Sequence, residues 1–438
     1  MVDDGMIKVD FSVAAARDAR LDGNFGVEKE MLRVKACGDC QPEDANYMAH
    51  SPHPFPQHEE HITRDFCENQ IEINTSVASS AQDAVEELAL HTQRIHLAIA
   101  QRGETLWPFS SPPPLSGEDD VPVAQFEGMM AHKTQYRDYL SERYGKYKMA
   151  FCGIHVNFSF GDRLLDAIAP APEDRNLIYL KAAAGVVRHG WILTALTAAS
   201  PLLDGSFVGA GAGKSVFDGD ASVRAGERGY WNQFLPVIDY SDIQAYARSI
   251  ASYVETGFLR APTELYYPVR LKPRGPNRLV TLAARGVSHI ELRMYDLNPF
   301  RAAGLDARDV EFAQLFLVWL LSLEGGTPSA KEQMLAVLNF KNAARFDIDG
   351  ARVCHADDSS TPVRIAALRL LDEMAAFWAD APQRVADVLA FQRAKLENER
   401  TRYAAVARGQ FGGDYARSIM ALAVKYQRHF IKDSLQHV

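Results

Sequence analysis

Two carboxylates stand two residues apart in the stretch GVEKEMLRV, at Glu28 and Glu30. The stretch predicts a β-strand, in which both side chains point to the same face of the sheet. Neighbouring like charges repel each other, and bulk water, basic side chains or bound cations can offset that repulsion. The stretch therefore raises the question of which of these the protein uses.

Three further segments predict strands with polar side chains on one face and apolar side chains on the other. NQIEIN carries Glu72 on its polar face, and GIHVNFS carries His155. HIELRMY places Glu291, Arg293 and Tyr295 together on one face. Solvent exposure usually explains one such strand, but four strands that each supply Glu, His or Arg are harder to explain in this way.

The carboxylates of these segments are the strongest signal in the sequence. The set predicted to share one sheet face consists of Glu28, Glu30, Asp65, Glu72 and Glu291. Gathered carboxylates raise one another's pKa unless cations neutralise them. Hard oxygen ligands select Mg²⁺ or Mn²⁺, which usually arrive with substrate phosphates. The pattern favours a site for cations and a phosphate-bearing substrate, with dispersed or salt-bridged carboxylates as the alternative.

Other residues on the same strands could bind ions or anions. His155 is either a hydrogen-bonded core histidine or, as a neutral imidazole, a metal ligand or a partner of a phosphate. Most basic residues are solvated surface charges, but Arg293, two residues from Glu291, is the least suited to that explanation. The candidate anion-binding residues are Arg224, Arg228, Arg270, Lys272, Arg285 and Arg293.

The segment VGAGAGKS resembles a phosphate-binding loop but departs from its pattern. That pattern requires glycine where Val208 stands, and no helix signal follows Ser215. We therefore interpret the segment as a flexible glycine-rich loop.

A possible zinc site involves two cysteines and several histidines near the N-terminus. Cys37 and Cys40 have the spacing of metal ligands. The histidines that follow are His50, His53, His58 and His61. Their spacing is tighter than usual and prolines interrupt the region, so a histidine-rich loop is the alternative.

Composition excludes several classes of protein. The 438 residues are 47% hydrophobic with a net charge of -9, as expected for a globular protein without a broad nucleic-acid-binding face. No apolar run approaches the roughly 20 residues that span a membrane. The N-terminus lacks a secretory signal and the five cysteines form no disulfide pattern, so we expect a cytoplasmic protein with reduced thiols.

Helical periodicity increases along the chain and dominates from about residue 306. This distribution predicts an α+β core followed by a helical C-terminal layer. The predicted helices are 81–102, 125–144, 174–199, 241–253, 306–323, 330–340, 362–379, 382–408 and 415–432.

Seven segments together resemble the bacterial glutamate-cysteine ligases (γ-glutamylcysteine synthetases). They occur in the same order as in that family, and the similarity spans about residues 23–325. In sequence order they are GVEKEMLRV, TRDFCENQIEINT, YRDYLSERYG, GIHVNFSF, TAASPLLDGSF, LYYPVRLKP and HIELRMYDLNPF.

The resemblance implies a fold and a set of roles. The fold would be a glutamine-synthetase-like, curved and mainly antiparallel β-sheet funnel with surrounding helices. A catalytic core at 1–325 and a helical C-terminal part at 326–438 would make up the chain. Two or three Mg²⁺ ions, or Mn²⁺, would assist ATP. The metal ligands implied are Glu28, Glu30, Asp65, Glu72, His155 and Glu291.

The resemblance also implies roles for the basic residues. Arg293 would contact the transferring phosphoryl group and act in catalysis with Glu28 and Glu291. The positions Arg224 and Tyr230 match residues of the family that bind the amino-acid substrates. To these we add Arg270 and Lys272 as candidate ligands of the ATP phosphates.

The implied reaction joins L-glutamate to L-cysteine through γ-glutamyl phosphate, with ATP as co-substrate. A relative of the same fold could instead join glutamate to a different amine. A catalytically silent binding protein is a third alternative, against which the complete carboxylate and histidine set argues. No ATP-grasp domain follows, so we do not expect the second step of glutathione synthesis on this chain, and whether a protein partner exists is left open.

Overall fold

The computed structural model of the protein describes residues 8–36 and 47–436, and every structural statement below refers to these residues. The strands are β1 (Gly23–Lys35), β2 (Ile62–Arg64), β3 (Gln70–Asn74), β4 (Glu104–Trp107), β5 (Ile154–Phe160), β6 (Leu203–Asp204), β7 (Ser215–Val216), β8 (Val269–Pro273), β9 (Val287–Tyr295), β10 (Arg352–Cys354) and β11 (Ser360–Pro362).

Helices surround these strands and fill the C-terminal part of the described chain. They are α1 (Ala14–Asp18), α2 (Ala81–Ala100), α3 (His132–Tyr144), α4 (Lys146–Met149), α5 (Asp162–Ile168), α6 (Pro172–His189), α7 (Trp191–Thr197), α8 (Ile243–Glu255), α9 (Leu279–Arg285), α10 (Ala307–Ser322), α11 (Ala330–Ala343), α12 (Val363–Phe377), α13 (Gln383–Glu397), α14 (Tyr403–Phe411) and α15 (Tyr415–Gln436).

One seven-stranded sheet organises the described chain. Its strand order is β2-β3-β1-β5-β9-β8, and β4 also pairs with the end of β1. Every pairing in this sheet is antiparallel, and two short hairpins, β6-β7 and β10-β11, lie outside it. The α+β class and the mainly antiparallel sheet predicted from the sequence are confirmed.

The long strand β1 shows how sequence alternation separates the two faces of the sheet. Phe25, Val27 and Met31 are buried on the face that packs against α2, while Glu28 and Glu30 point the other way. Lys29 is the exception on the helix-covered face. Its ammonium donates to Thr92 Oγ1 at 2.8 Å and to the Ala303 carbonyl at 2.9 Å, and burial lowers its pKa to about 7.

A bulge in β9 corrects one expectation about side-chain direction. The partner of Val156 is Leu292, whereas the partner of Ile154 is Tyr295, so β9 carries one extra residue between these pairs. The extra residue reverses the alternation. Tyr295 therefore lies buried on the apolar face with Ile154, and not on the polar face with Glu291 as the simple alternation predicts.

The predicted helices match the structure closely except where a break was missed. The helix predicted at 174–199 is two helices, α6 and α7, that meet at Gly190. A Cβ atom at Gly190 would lie 2.5 Å from the carbonyl oxygen of Val186, which explains glycine at this junction. The helix predicted at 382–408 is likewise interrupted between α13 and α14, and that predicted from 125 begins at His132.

The C-terminal helices pack on the core through buried polar contacts as well as apolar ones. In α13, Lys395 forms an ion pair with Asp309 of α10, and both side chains are almost completely buried. In α15, the Tyr415 hydroxyl donates to the carbonyl of Ser111 at 2.6 Å. The division into a core at 1–325 and a helical part at 326–438 stays a prediction.

Two further expectations concern loops and membranes. The glycine-rich segment 205–214 connects β6 to β7, and Asp204 accepts from the backbone N–H of Gly213 at 2.9 Å. A strand follows this segment where a phosphate-binding loop requires a helix, in agreement with the loop interpretation. No helix in the described part of the chain is long and apolar enough to cross a bilayer.

Candidate active site

A cavity of about 840 Å³ opens over the polar face of the main sheet. Its lining includes every residue to which the family resemblance assigns a role, together with Arg270 and Lys272. These are Glu28, Glu30, Asp65, Glu72, His155, Arg224, Tyr230, Arg270, Lys272, Glu291 and Arg293. The cavity lining does not include Arg228, which pairs with Asp218 at 2.8 Å, or Arg285, so the predicted anion-binding role of these two gains no support.

Strand register brings these side chains together. Glu28 of β1 is paired with His155 of β5, and Glu30 is paired with Glu72 of β3. On the far side of β5, Glu291 of β9 is paired with Asn157. Paired residues of an antiparallel sheet project to the same face, so four strands supply one cluster.

The first part of the cluster, which we call the histidine group, consists of Glu28, His155 and Glu291. One ligand atom from each lies within 4.8 Å of the others. Glu28 also accepts from the Asn157 amide at 3.0 Å. Among the described residues, no donor reaches the buried Oδ1 of Asn157. Carboxylates, an imidazole and a spare amide oxygen form a donor set that suits a divalent cation.

His155 is held in the neutral form that a metal ligand requires. Burial and the nearby charge of Arg293 lower the pKa of His155 to about 4. Nδ1 lies 3.0 Å from Glu28 Oε2, so the neutral ring donates Nδ1–H to that carboxylate. Nε2 is then the unprotonated nitrogen, and its lone pair is available to a cation.

Glu291 is the charge-balanced member of the histidine group. Arg293 Nη1 lies 2.9 Å from its Oε2, and Lys272 Nζ lies 2.7 Å from its Oε1. Burial acts to raise the pKa of Glu291, but Arg293 and Lys272 bring it well below its usual value. The carboxylate is therefore ionised and holds two cationic side chains beside the cavity.

The second part of the cluster, the acid group, consists of Glu30, Asp65 and Glu72. Burial raises the pKa of Glu30 to about 8, and Asp65 adds to the rise. Burial also raises the pKa of Asp65. For Glu72, burial and then Asp65, Glu28 and Glu30 raise the pKa well above its usual value. Three crowded carboxyl groups of this kind fit one or more divalent cations, whose charge would restore their ionised state.

Arg224 approaches the cavity through a gap that only glycine leaves. A Cβ atom at Gly153 would lie 2.0 Å from the Arg224 guanidinium carbon. The guanidinium donates to the carbonyl of Arg293 at 3.0 Å and lies 5.9 Å from the centre of the Tyr230 ring. The Tyr230 hydroxyl donates to the carbonyl of Met149 at 3.0 Å, so backbone contacts fix both predicted substrate-binding side chains.

A buried carboxylate fixes the loop that carries Arg224. Asp296, just after β9, accepts from Ser200 Oγ at 2.7 Å and from Ser222 Oγ at 2.9 Å. It also accepts from the backbone N–H of Ala199 at 2.9 Å. Two of the seven family segments, TAASPLLDGSF and HIELRMYDLNPF, therefore meet the loop of Arg224 at one side chain.

Arg270 is more constrained than a free anion ligand. Its Nε donates to the carbonyl of Leu265 at 3.0 Å, and Nη2 donates to that of Thr263 at 2.6 Å. Burial and the charge of Arg293 lower its pKa to about 10. Arg270 therefore shapes the 262–265 segment of the cavity wall while it lines the cavity itself.

Comparison with known proteins identifies the family. A sequence model described as glutamate-cysteine ligase matches residues 11–258 and 235–343. The chain belongs to the glutamate-cysteine ligase family. Solved structures of similar fold include a glutamate-cysteine ligase from Francisella tularensis in complex with AMP, with a TM-score of 0.78 at 23% identity over 93% of this chain and 89% of that one.

The curated relatives of this glutamate-cysteine ligase family member are longer proteins. A glutathione biosynthesis bifunctional protein GshAB from Listeria monocytogenes is 34% identical over 82% of this chain and 48% of its own length. A bifunctional glutathione synthetase structure from Pasteurella multocida has a TM-score of 0.79 at 24% identity and covers 95% of this chain and 54% of its own. The chain spans about half the length of the curated relatives it matches, and the two structures confirm the fold that the resemblance implied.

The structure adds one element of the site that sequence reasoning missed. The lining of the cavity includes a single face of α3, formed by Lys133, Tyr136, Arg137 and Leu140. Their spacing of three, four and seven residues is that of one helix face. The family segment YRDYLSERYG lies largely in α3, and the resemblance assigns no role to its residues. The polar residues on one face of this helix were the signal that could have indicated a cavity wall.

The candidate zinc ligands are not brought together in the part of the chain that the structure describes. Cys37 and Cys40 lie outside the described residues. His53 is buried, with Nδ1 2.9 Å from the carbonyl oxygen of Phe55, and His58 is exposed. His61 stacks on His91 of α2 and does not line the cavity.

Proposed function

We propose that this chain is an ATP-dependent ligase that joins the γ-carboxylate of L-glutamate to the amine of L-cysteine. The supporting observation is the convergence of the histidine group and the acid group with Arg293 and Lys272 in one cavity. Membership of the glutamate-cysteine ligase family and the names of the relatives indicate the same activity.

The carboxylates and His155 would hold two or three Mg²⁺ ions, with Mn²⁺ as a possible substitute. Such ions supply positive charge that neutralises the ATP phosphates and the developing charge of phosphoryl transfer. In the histidine group, Glu28 orients the His155 ring through the Nδ1–H hydrogen bond. Asn157 in turn holds the other oxygen of Glu28. Together they fix two ligands on neighbouring strands.

Arg293 and Lys272 would contact the transferring phosphoryl group. Both line the cavity and are held at Glu291, so they are preorganised beside the predicted cation site. Their charges reduce the repulsion between the glutamate carboxylate and the γ-phosphate, both of which are anions. We assign Arg293 the direct contact because its planar guanidinium can make paired hydrogen bonds to phosphoryl oxygens.

The reaction then follows in two steps. An oxygen of the glutamate γ-carboxylate attacks the γ-phosphorus of ATP, which forms γ-glutamyl phosphate and releases ADP. The amine attacks the activated carbonyl carbon, an amide bond forms, and inorganic phosphate leaves with the loss of one amine proton. The role of the chain is to align three substrates, with Arg224, Tyr230 and the α3 face as the proposed amino-acid contacts.

The test is ADP release measured with ATP, Mg²⁺, L-glutamate and a panel of amines. We expect release that requires both glutamate and cysteine, with γ-glutamylcysteine identified by mass spectrometry. Release with another amine would assign the chain to a different acceptor. No release with any amine, in a protein shown to be folded, would contradict the proposal.

Because the substrates are cytoplasmic metabolites, we propose a cytoplasmic location.

Glu28→Gln is the matched variant for this assay. It keeps the shape of the side chain and removes its charge, so turnover should fall by about 10²–10³-fold while the circular dichroism spectrum is unchanged. Glu86→Gln on the exposed face of α2 makes the same chemical change away from the cavity and should keep full activity. Equal activity of both variants would contradict the metal-ligand role of Glu28.

A further inference from the structure

A second group of potential metal ligands lies outside the cavity. It consists of His61, just before β2, and Glu87 and His91, one turn apart on α2. One ligand atom from each lies within 4.8 Å of the others. The rings of His61 and His91 stack with centroids 4.7 Å apart at an interplanar angle of 20°. None of the three residues lines the catalytic cavity.

His61 already has the arrangement of a ligating histidine. Its Nδ1 lies 2.9 Å from the carbonyl oxygen of Asn74, which can only accept, so Nδ1 carries the proton of the neutral ring. Nε2 is then unprotonated and offers its lone pair. Histidine ligands usually donate their other N–H to a carbonyl or carboxylate in this way, which fixes both tautomer and orientation.

Glu87 and His91 occupy neighbouring positions on one helix face. His91 Nε2 lies 3.3 Å from Glu87 Oε1, and the same oxygen accepts from the backbone N–H of Ser76 at 2.9 Å. Arg94 Nη1 lies 3.0 Å from His91 Nδ1 and, as a guanidinium, can only donate. In the ion-free protein the proton therefore sits on His91 Nε2. A cation at Nε2 would displace this proton, and the neutral ring would then carry its proton on Nδ1, facing the Arg94 donor. Arg94 therefore competes with the ion.

We propose that His61, Glu87 and His91 bind one divalent transition-metal ion, with Zn²⁺ as the first choice. Two imidazoles and one carboxylate favour zinc over Mg²⁺ or Ca²⁺, which prefer sets made mostly of oxygen ligands. The side chains of His61 and Glu87 are 26% and 25% exposed, so an ion can enter from solvent. The fourth position falls to water or to the exposed carboxylate of Glu60, 4.0 Å from His61 Nε2.

The ion would fasten an edge strand to a helix. β2 is the terminal strand of the sheet order, and its Thr63 hydroxyl donates to Glu72 of the acid group at 3.1 Å. His61 precedes this strand, while Glu87 and His91 belong to α2, which packs on β1 and β3. A bound ion would therefore stabilise the position of β2 without touching the substrates.

Zinc binding is measured by isothermal titration calorimetry on the whole chain with Mg²⁺ in excess, so that the catalytic cluster is already occupied. We expect one zinc ion per chain for the wild type and for Glu28→Gln. His61→Ala and His91→Ala should each weaken binding by at least about 100-fold. The matched control His58→Ala removes an exposed histidine of the same region and should bind zinc as the wild type does.

Two further measurements separate a metal site from a simple histidine stack. Arg94→Ala removes the competing donor and should tighten zinc binding, by roughly tenfold. Zinc should raise the melting temperature of the wild type and of His58→Ala but leave that of His91→Ala unchanged. A melting transition of His91→Ala also shows that this variant is folded. Absence of zinc binding in the wild type, or equal binding in His61→Ala and His91→Ala, would overturn the proposal.

Discussion

The two halves of the catalytic cluster differ in how their charge is balanced. In the histidine group, Glu28 has His155 and Asn157 as partners, and Glu291 has two cationic side chains within 2.9 Å. In the acid group, burial raises the pKa of Glu30 to about 8 and raises that of its neighbours. Cationic side chains balance the charge of Glu291 in one half, whereas in the other half the charges of Arg224, Arg137 and Arg293 do not offset the effect of burial on Glu30 and Asp65.

This difference indicates distinct tasks. A preformed histidine group is rigid before any ligand arrives, as a phosphoryl-transfer site requires. The acid group has an unfavourable charged state that bound cations relieve, so it links metal binding to proton release. Substitutions in the two halves should therefore have the same sign of effect on activity but opposite signs on stability.

The largest effect is expected for Glu291→Gln in the histidine group. It leaves Arg293 and Lys272 without their buried partner, so the free energy of unfolding should fall by about 3–5 kcal/mol. Turnover should fall by about 10³-fold because both the predicted metal ligand and the anchor of the two cations are lost. Urea unfolding and the ADP-release assay measure the two changes. An unchanged unfolding midpoint would contradict the charge-balanced description of this half.

Glu30→Gln in the acid group should combine lower activity with higher stability. We expect turnover to fall by about 10²-fold because a predicted metal ligand is lost. In metal-free protein, the folded state keeps the Glu30 proton up to about pH 8, whereas the unfolded chain loses it near 4.5. Wild-type stability therefore decreases as pH rises through this window.

Melting temperatures in chelator test the stability half of that prediction. The Glu30→Gln variant cannot ionise, so it should match the wild type at about pH 5 and exceed it by a few degrees at about pH 9. Glu86→Gln on the exposed face of α2 makes the same chemical change at the surface and serves as the control. If Glu30→Gln melted below the wild type at about pH 9, the proposed opposite effects of the two halves on stability would be wrong.

Asn157→Ala tests the support of the histidine group with a smaller change. The variant removes the hydrogen bond to Glu28 Oε1 and the spare Oδ1 atom but keeps every carboxylate. We expect roughly a tenfold loss of turnover, as is common when the partner of a ligand is removed. The Mg²⁺ concentration that gives the half-maximal rate should increase. A wild-type Mg²⁺ profile would show that Asn157 has no part in orienting Glu28.

The smallest effect is the pH dependence of stabilisation by Mg²⁺ alone. Because the acid group must lose protons to bind a cation, added Mg²⁺ should raise the melting temperature by a few degrees more at about pH 8 than at about pH 6. Glu30→Gln should reduce this difference, and Asn157→Ala should preserve it. Equal stabilisation at both pH values would indicate that the acid group does not bind the ion.

Several features of this site followed directly from local pattern. Alternation in GVEKEMLRV places Glu28 and Glu30 on one face of β1, and the structure agrees. The start of α2 followed from helical periodicity and the Ser80 cap, which accepts from the backbone N–H of Asp83 at 3.1 Å. Such features depend on neighbours in sequence, so they are readable without the fold.

Other features depended on residues far apart in the chain. The bulge that turns Tyr295 to the apolar face arises from pairing with β5. The position of Arg224 depends on Gly153, 71 residues earlier, and on the anchor at Asp296. No spacing rule joins His61 to His91 across β3, whereas the sequence pattern pointed to Cys37 and Cys40 as companions of that histidine.

The sequence by itself determined which side chains are available and, in strands without a bulge, which face of its own strand each one occupies. Side-chain direction repeats with a fixed period in helices and strands, so composition and alternation suffice for that. Only the tertiary structure decided which strands lie beside one another, and hence that the charge of Glu291 is balanced and that of Glu30 is not. Those differences arise from burial and from distances of a few ångströms, which long-range packing sets.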